Sequence, residues 1–138
     1  MSPETHVKKA ERIERSLRRL TGRDYEIQID GAMLAATHYA NMALHILGLT
    51  QPGRDMIHTE FLQVIGYKRL RVAAPALLEA LEGIEALRAP YVRGAHPGGS
   101  AAGAEALRLL DLVRSEAKRV APIPYPIVNY VPKTTADD

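Results

Sequence analysis

The run from Ala32 to Leu49 constrains the fold more than any other part of the sequence. Read as a helix, it is apolar around most of its circumference, and His38, Asn41 and His45 interrupt it. Such a helix has no face fit for water, so it belongs at the centre of a helical bundle. The polar interruptions favour a core helix over a membrane span.

The rest of the chain supplies partners for that helix. Ala and Leu are plentiful, aromatic residues make up 5% of the chain, and Trp is absent. That mixture favours helices over sheets. The expected fold is all-α, a four-helix bundle over residues 1–120 followed by an extended, Pro-rich C-terminal tail over 121–138. A length of 138 residues suits one such domain.

Local signals place the elements. Ser2-Pro3-Glu4 is a helix start: a cap, a proline at the first helical position and an acid at the positive end. Val7, Ala10, Ile13, Leu17 and Leu20 then recur at helical spacing, and Gly22 stops the helix. The second helix is expected to start near Asp30 and run to Leu47. A loop over 48–54 follows, marked by Pro52-Gly53. Met56 to Arg71 reads as helical, with a break at or before Pro75. Pro75 to Arg88 is a clear helix with Leu77, Leu78, Leu81, Ile84 and Leu87 facing inward, and Pro90 is expected to end it. Residues 94–99 form a turn, and a last helix runs from Ser100 to Val120. Residues 121–132 contain four prolines and cannot form a regular helix. Their Tyr and aliphatic side chains are expected to dock on this subunit or a neighbour. Residues 133–138 are expected to fray.

Several chemistries are excluded. With no cysteine there is no disulfide, thiolate zinc site, iron–sulfur cluster or cysteine nucleophile. Phosphate-binding and dinucleotide glycine loops are missing, as is a nucleophile elbow. The first residues lack an apolar signal core, so a cytoplasmic protein is expected. A net charge of +2 is too small to argue for nucleic acid. Seven basic residues do crowd into positions 1–23 against Glu4, Glu11 and Glu14. The plain reading is a solvated face with pairs such as Glu11–Arg15 and Glu14–Arg18.

Three groups of residues could carry function. His38, Asn41 and His45 share one face of the second helix and are candidates for ligand binding. His38 and His45 are two turns apart, about 10 Å by helix rise, which is too far for both to hold one ion. No helical metal-ligand spacing is present, so neither a metal nor another cofactor is expected. Arg54, His58 and Glu60 crowd around a helix start and are candidates for acid–base chemistry. The plainer reading there is local capping by Asp55. Tyr67, Lys68, Arg69 and Arg71 could contact nucleic acid. A Gly-rich turn, Ala95 to Ser100, precedes a helix and could receive an anion, although an interhelix turn explains it as well.

The second helix, Gly31 to Gly48, resembles the central helix of HEPN-type proteins. The Leu87-Arg-Ala-Pro-Tyr-Val-Arg93 stretch and the helix after it resemble that family's C-terminal half. The resemblance implies a helical fold and dimerisation, with RNA or a protein partner. Many members are toxin ribonucleases or partners of nucleotidyltransferases. The family's catalytic signature is an Arg followed, after four to six residues, by a His. Here Arg54 and His58 have three residues between them, and Arg93 and His96 have two. The resemblance therefore implies a non-catalytic, homodimeric binding or regulatory module. The alternative is a divergent, metal-independent ribonuclease using Arg54 and His58.

Overall fold

A computed structural model describes residues 1–56 and 64–122. All regular structure among these residues is helical: α1 (Pro3–Leu17), α2 (Tyr25–Ile46), α3 (Val64–Ala73), α4 (Pro75–Leu87) and α5 (Gly99–Val120). No described helix is long and apolar enough to cross a membrane. The expected tail, apart from its first two residues, lies outside the described residues.

The start of α1 follows from its first residues. Ser2 Oγ accepts the Thr5 N–H at 3.2 Å, and Pro3 occupies the first turn. The inward face departs from the expected stripe. Ala10 and Leu17 are buried, but so are His6 and Glu14, whereas Val7, Ile13 and Leu20 are only partly covered. The helix is turned toward its two polar residues because each finds partners on other elements. Glu14 accepts from Tyr39 Oη and from Arg114 Nη1, both at 2.5 Å. It therefore joins α1, α2 and α5 where a surface pair with Arg18 was expected. Glu11 likewise reaches Lys118 Nζ at 3.7 Å.

Helix α2 begins five residues before Asp30. A short 3₁₀ turn, Gly22–Asp24, feeds it directly. Thr21 caps that turn in a reciprocal box: its side chain accepts from the Arg23 N–H, and Asp24 accepts the Thr21 N–H. The start at Tyr25 lets Ile29 and Ala32 enter the core as the first buried apolar turn. α2 packs on α1, α4 and α5, so its central place follows its apolar circumference. Ile27 and Leu34 remain more than half exposed on the uncovered strip.

The expected break before Pro75 separates α3 from α4, and α3 packs against α4, so the described residues hold five α-helices where a four-helix bundle was expected. The break is Ala74, held at φ −149° and ψ 65°, outside the helical region that a following proline disfavours. α4 buries Leu77, Leu78, Leu81 and Ile84 as its spacing predicts. Pro90 does not end the helical path. A π-helical turn, Arg88–Arg93, carries the chain past it. The Pro90 carbonyl then accepts the His96 N–H at 3.1 Å. Missing an N–H, proline costs less in a short wide turn than inside α4.

α5 approaches α2 closely because Gly99 and Gly103 face it. A Cβ on Gly103 would lie 2.3 Å from Gln28 Oε1, and one on Gly99 would lie 2.4 Å from the Tyr25 ring. Below that contact Ala102, Ala106, Leu110, Val113 and Ala117 complete the inner face.

Candidate functional site

The polar face of α2 meets the start of α1 and the loop after α2. His6 Nδ1 lies 2.9 Å from His38 Nδ1, and His6 Nε2 lies 3.0 Å from Asp55 Oδ1. His45 Nε2 reaches the same Asp55 oxygen at 2.8 Å, while its Nδ1 is 2.7 Å from Thr50 Oγ1. Three histidines and one carboxylate thus form a continuous chain from Thr50 through His45, Asp55 and His6 to His38. His6 and His45 are buried, whereas the Asp55 side chain keeps 32% of its surface.

Each residue is fixed by a different element. His6 stands one turn into α1, and His38 and His45 stand two turns apart on α2. The loop bearing Asp55 is held by Asn41, whose Oδ1 accepts the Met56 N–H at 2.6 Å. Asn41 Nδ2 donates to the Met56 carbonyl at 2.8 Å and to the Thr37 carbonyl at 3.0 Å. The α-amino group of Met1 adds a contact of 3.5 Å to Asp55 Oδ1.

The cluster fixes protonation states. A carboxylate only accepts, so both Nε2 atoms facing Asp55 carry the hydrogen. Burial lowers the His6 pKa by more than Asp55 raises it, which keeps the ring neutral. The His38 pKa is also lowered, first by burial and then by His6 and Lys9. At Asp55 burial acts to raise the pKa, but hydrogen bonds from His45 and His6 outweigh it and the carboxyl stays below its ordinary value.

A pocket of about 450 Å³ opens beside this cluster. His6, His38 and Asp55 form part of its wall, and Met33, Leu34 and Met56 provide apolar surface. At another edge Arg88 Nε donates to Asp30 Oδ1 at 3.0 Å. Nδ1 of His38 is taken by His6. Among the described residues its Nε2 has no hydrogen-bond partner.

The structure therefore brings together His38, Asn41 and His45 as one polar face, but their tasks differ. Asn41 anchors a loop, while His38 and His45 both flank His6, with ring centres 5.1 and 5.3 Å from its own. Sequence reasoning missed His6 and the role of Asp55. Asp55 read as a cap, and its Oδ1 spans to α1 and α2. The other candidates stand apart. Arg54 is exposed, and its N–H donates to the Gln51 carbonyl at 2.8 Å. His58 and Glu60 lie outside the described residues. Tyr67 Oη donates to Glu82 Oε2 and accepts from Arg71 Nη2, both at 2.8 Å. Arg71 also lies over the Tyr67 ring, 5.2 Å from its centre. That ring is committed to α4 and Arg71, while Lys68 and Arg69 are exposed. Comparison with protein-family models, curated proteins and solved structures returns no match.

Proposed function

We propose that the chain is a non-catalytic helical module that binds a small molecule in the pocket beside His38. The carrying observation is a pocket of about 450 Å³ that combines apolar walls with a polar end built from His6, His38 and Asp55. Small-molecule sites commonly have this size and balance, with a few polar groups fixing orientation in an apolar cleft. The ligand that suits it is compact and largely apolar, with one hydrogen-bonding group for His38 Nε2. Ligand-observed NMR with a fragment set tests this. Binders displaced from a Leu34→Trp variant, which fills the pocket mouth, support the reading. Fragments that bind both proteins alike, or neither, count against it.

This reading stays within the class of binding modules that the HEPN resemblance implies. A homodimer belongs to it as well, on the ground of the uncovered Ile27 and Leu34 on α2. The ribonuclease alternative gains no support from Arg54, whose side chain makes no hydrogen bond or ion pair with the histidine cluster among the described residues.

A further inference from the structure

We propose that His6, His45 and Asp55 bind one divalent transition-metal ion, of the class of Zn²⁺ or Co²⁺, with an open coordination position beside the pocket. This inference goes beyond the small-molecule reading and does not depend on it. The donor set is two neutral imidazole nitrogens and a carboxylate oxygen, which suits borderline ions and not Ca²⁺ or Mg²⁺.

The geometry fits. The three donor atoms lie within 4.8 Å of one another. Two of the separations, 3.0 and 2.8 Å, are hydrogen-bond lengths. Around a tetrahedral ion with bonds of about 2.0–2.1 Å the donors stand about 3.3 Å apart. Accepting an ion thus asks these pairs to part by a few tenths of an ångström. Asp55 is the partly exposed member, so its side chain can part from both histidines, while the two imidazole nitrogens, within 4.8 Å of each other, close on the ion.

The surrounding hydrogen bonds supply a second argument. A metal-binding histidine usually engages its other nitrogen, which fixes the ring and its tautomer. Both histidines do so here: His6 through His38 Nδ1, and His45 through Thr50 Oγ1. Without metal, each Nε2 carries hydrogen toward Asp55. With metal, each Nε2 gives its lone pair to the ion and the hydrogen resides on Nδ1. His45 then donates to Thr50. His6 donates to His38, whose own hydrogen resides on Nε2. The hydrogens are redistributed among the rings and none is lost overall. Three protein donors leave a fourth position free, and His6 and Asp55 both border the pocket.

The test uses the full, untagged chain freed of metal with a chelator. Co²⁺ is titrated at neutral pH while its visible absorption is followed, and Zn²⁺ binding is measured by calorimetry. One equivalent should bind and give the intense bands of a four- or five-coordinate ion. His6→Ala, His45→Ala and Asp55→Asn should each weaken binding by at least about 10-fold, and His38→Ala should weaken it by about 10–100-fold as an outer partner. Histidine ¹⁵N spectra of the wild type should show His6 and His45 changing from the Nε2–H to the Nδ1–H tautomer as Zn²⁺ is added, a readout that needs no variant to fold. No stoichiometric uptake by the wild type overturns the proposal. So does uptake that leaves these tautomers unchanged, or that is indifferent to all three ligand substitutions.

Discussion

Asn41 closes on both backbone groups of Met56, taking its N–H at 2.6 Å and giving a hydrogen to its carbonyl at 2.8 Å. One side chain on α2 thus does for the loop what a strand partner does in a sheet, and it fixes the residue next to Asp55.

Asn41→Ala should therefore cost about 2–3 kcal/mol, because two buried backbone groups lose their partners at once. Chemical denaturation reads the loss. Asn41→Asp keeps the acceptor but not the donor, so it should retain only part of the stability. A loss below about 0.5 kcal/mol for Asn41→Ala would show that the loop holds itself.

Tyr39 gives a pH prediction. Burial first, and then the hydrogen bond to Glu14, push its phenol pKa well above the ordinary value of about 10. The folded state thus holds the proton more tightly than the unfolded state. The resulting stability is fully present below about pH 10 and is lost as pH rises from there toward the folded-state pKa. Spectroscopic titration should reveal a tyrosine that ionises only as the protein unfolds. That late class should vanish in Tyr39→Phe, and the alkaline fall in stability should become shallower. Loss of the buried hydrogen bond should also cost Tyr39→Phe about 1–2 kcal/mol at neutral pH.

The α2–α5 contact predicts opposite outcomes for glycines that look alike in the sequence. Gly103→Ala should destabilise by about 1–3 kcal/mol, because the new methyl group displaces the Gln28 side chain and presses on Tyr25, whose Cβ and Cα would lie 3.0 and 3.3 Å away, so α2 must give by a few tenths of an ångström. Gly53→Ala, with open space around it, should change stability by no more than about 0.5 kcal/mol. Thermal melts of the two variants side by side decide it. Equal effects would mean that α5 sits farther from α2 than described.

Self-association is checked by light scattering at micromolar concentration, with Leu34→Lys as the comparison. A dimer that becomes monomeric in the variant agrees with the α2 strip as its interface. A mass of one chain for the wild type at every concentration removes the dimer from the reading.

Much of the scaffold is legible in the sequence because it rests on periodicity. Leu77, Leu78, Leu81 and Ile84 in α4, and Ala102, Ala106, Leu110 and Val113 in α5, announce their buried face by spacing alone. The polar core is different. His6 and Glu14 break the apolar stripe of α1, and only a partner on another helix justifies burying them. Those partners, His38 and Tyr39, lie 32 and 25 positions away, and no local pattern links them. The same holds for Asp55. Its position after a turn reads as a cap, whereas its Oδ1 reaches residues 49 and 10 positions earlier. Two of three donors to one point can be suspected from helix geometry only when both lie on one helix, and here each comes from a different element.

The π-helical turn after α4 works as a gear change between two helical rhythms. A wider turn holds more residues for the same advance, so side chains beyond it face a direction that continued α-helix would not give them. Tyr91 and Val92 can settle against the core while Arg88, where the wide turn begins, stays at the pocket edge with Asp30. Deleting one residue from 88–93 would restore the tighter winding and rotate the pocket rim relative to α4. The length of this short segment, as much as its composition, thus sets the shape of the opening above the histidines.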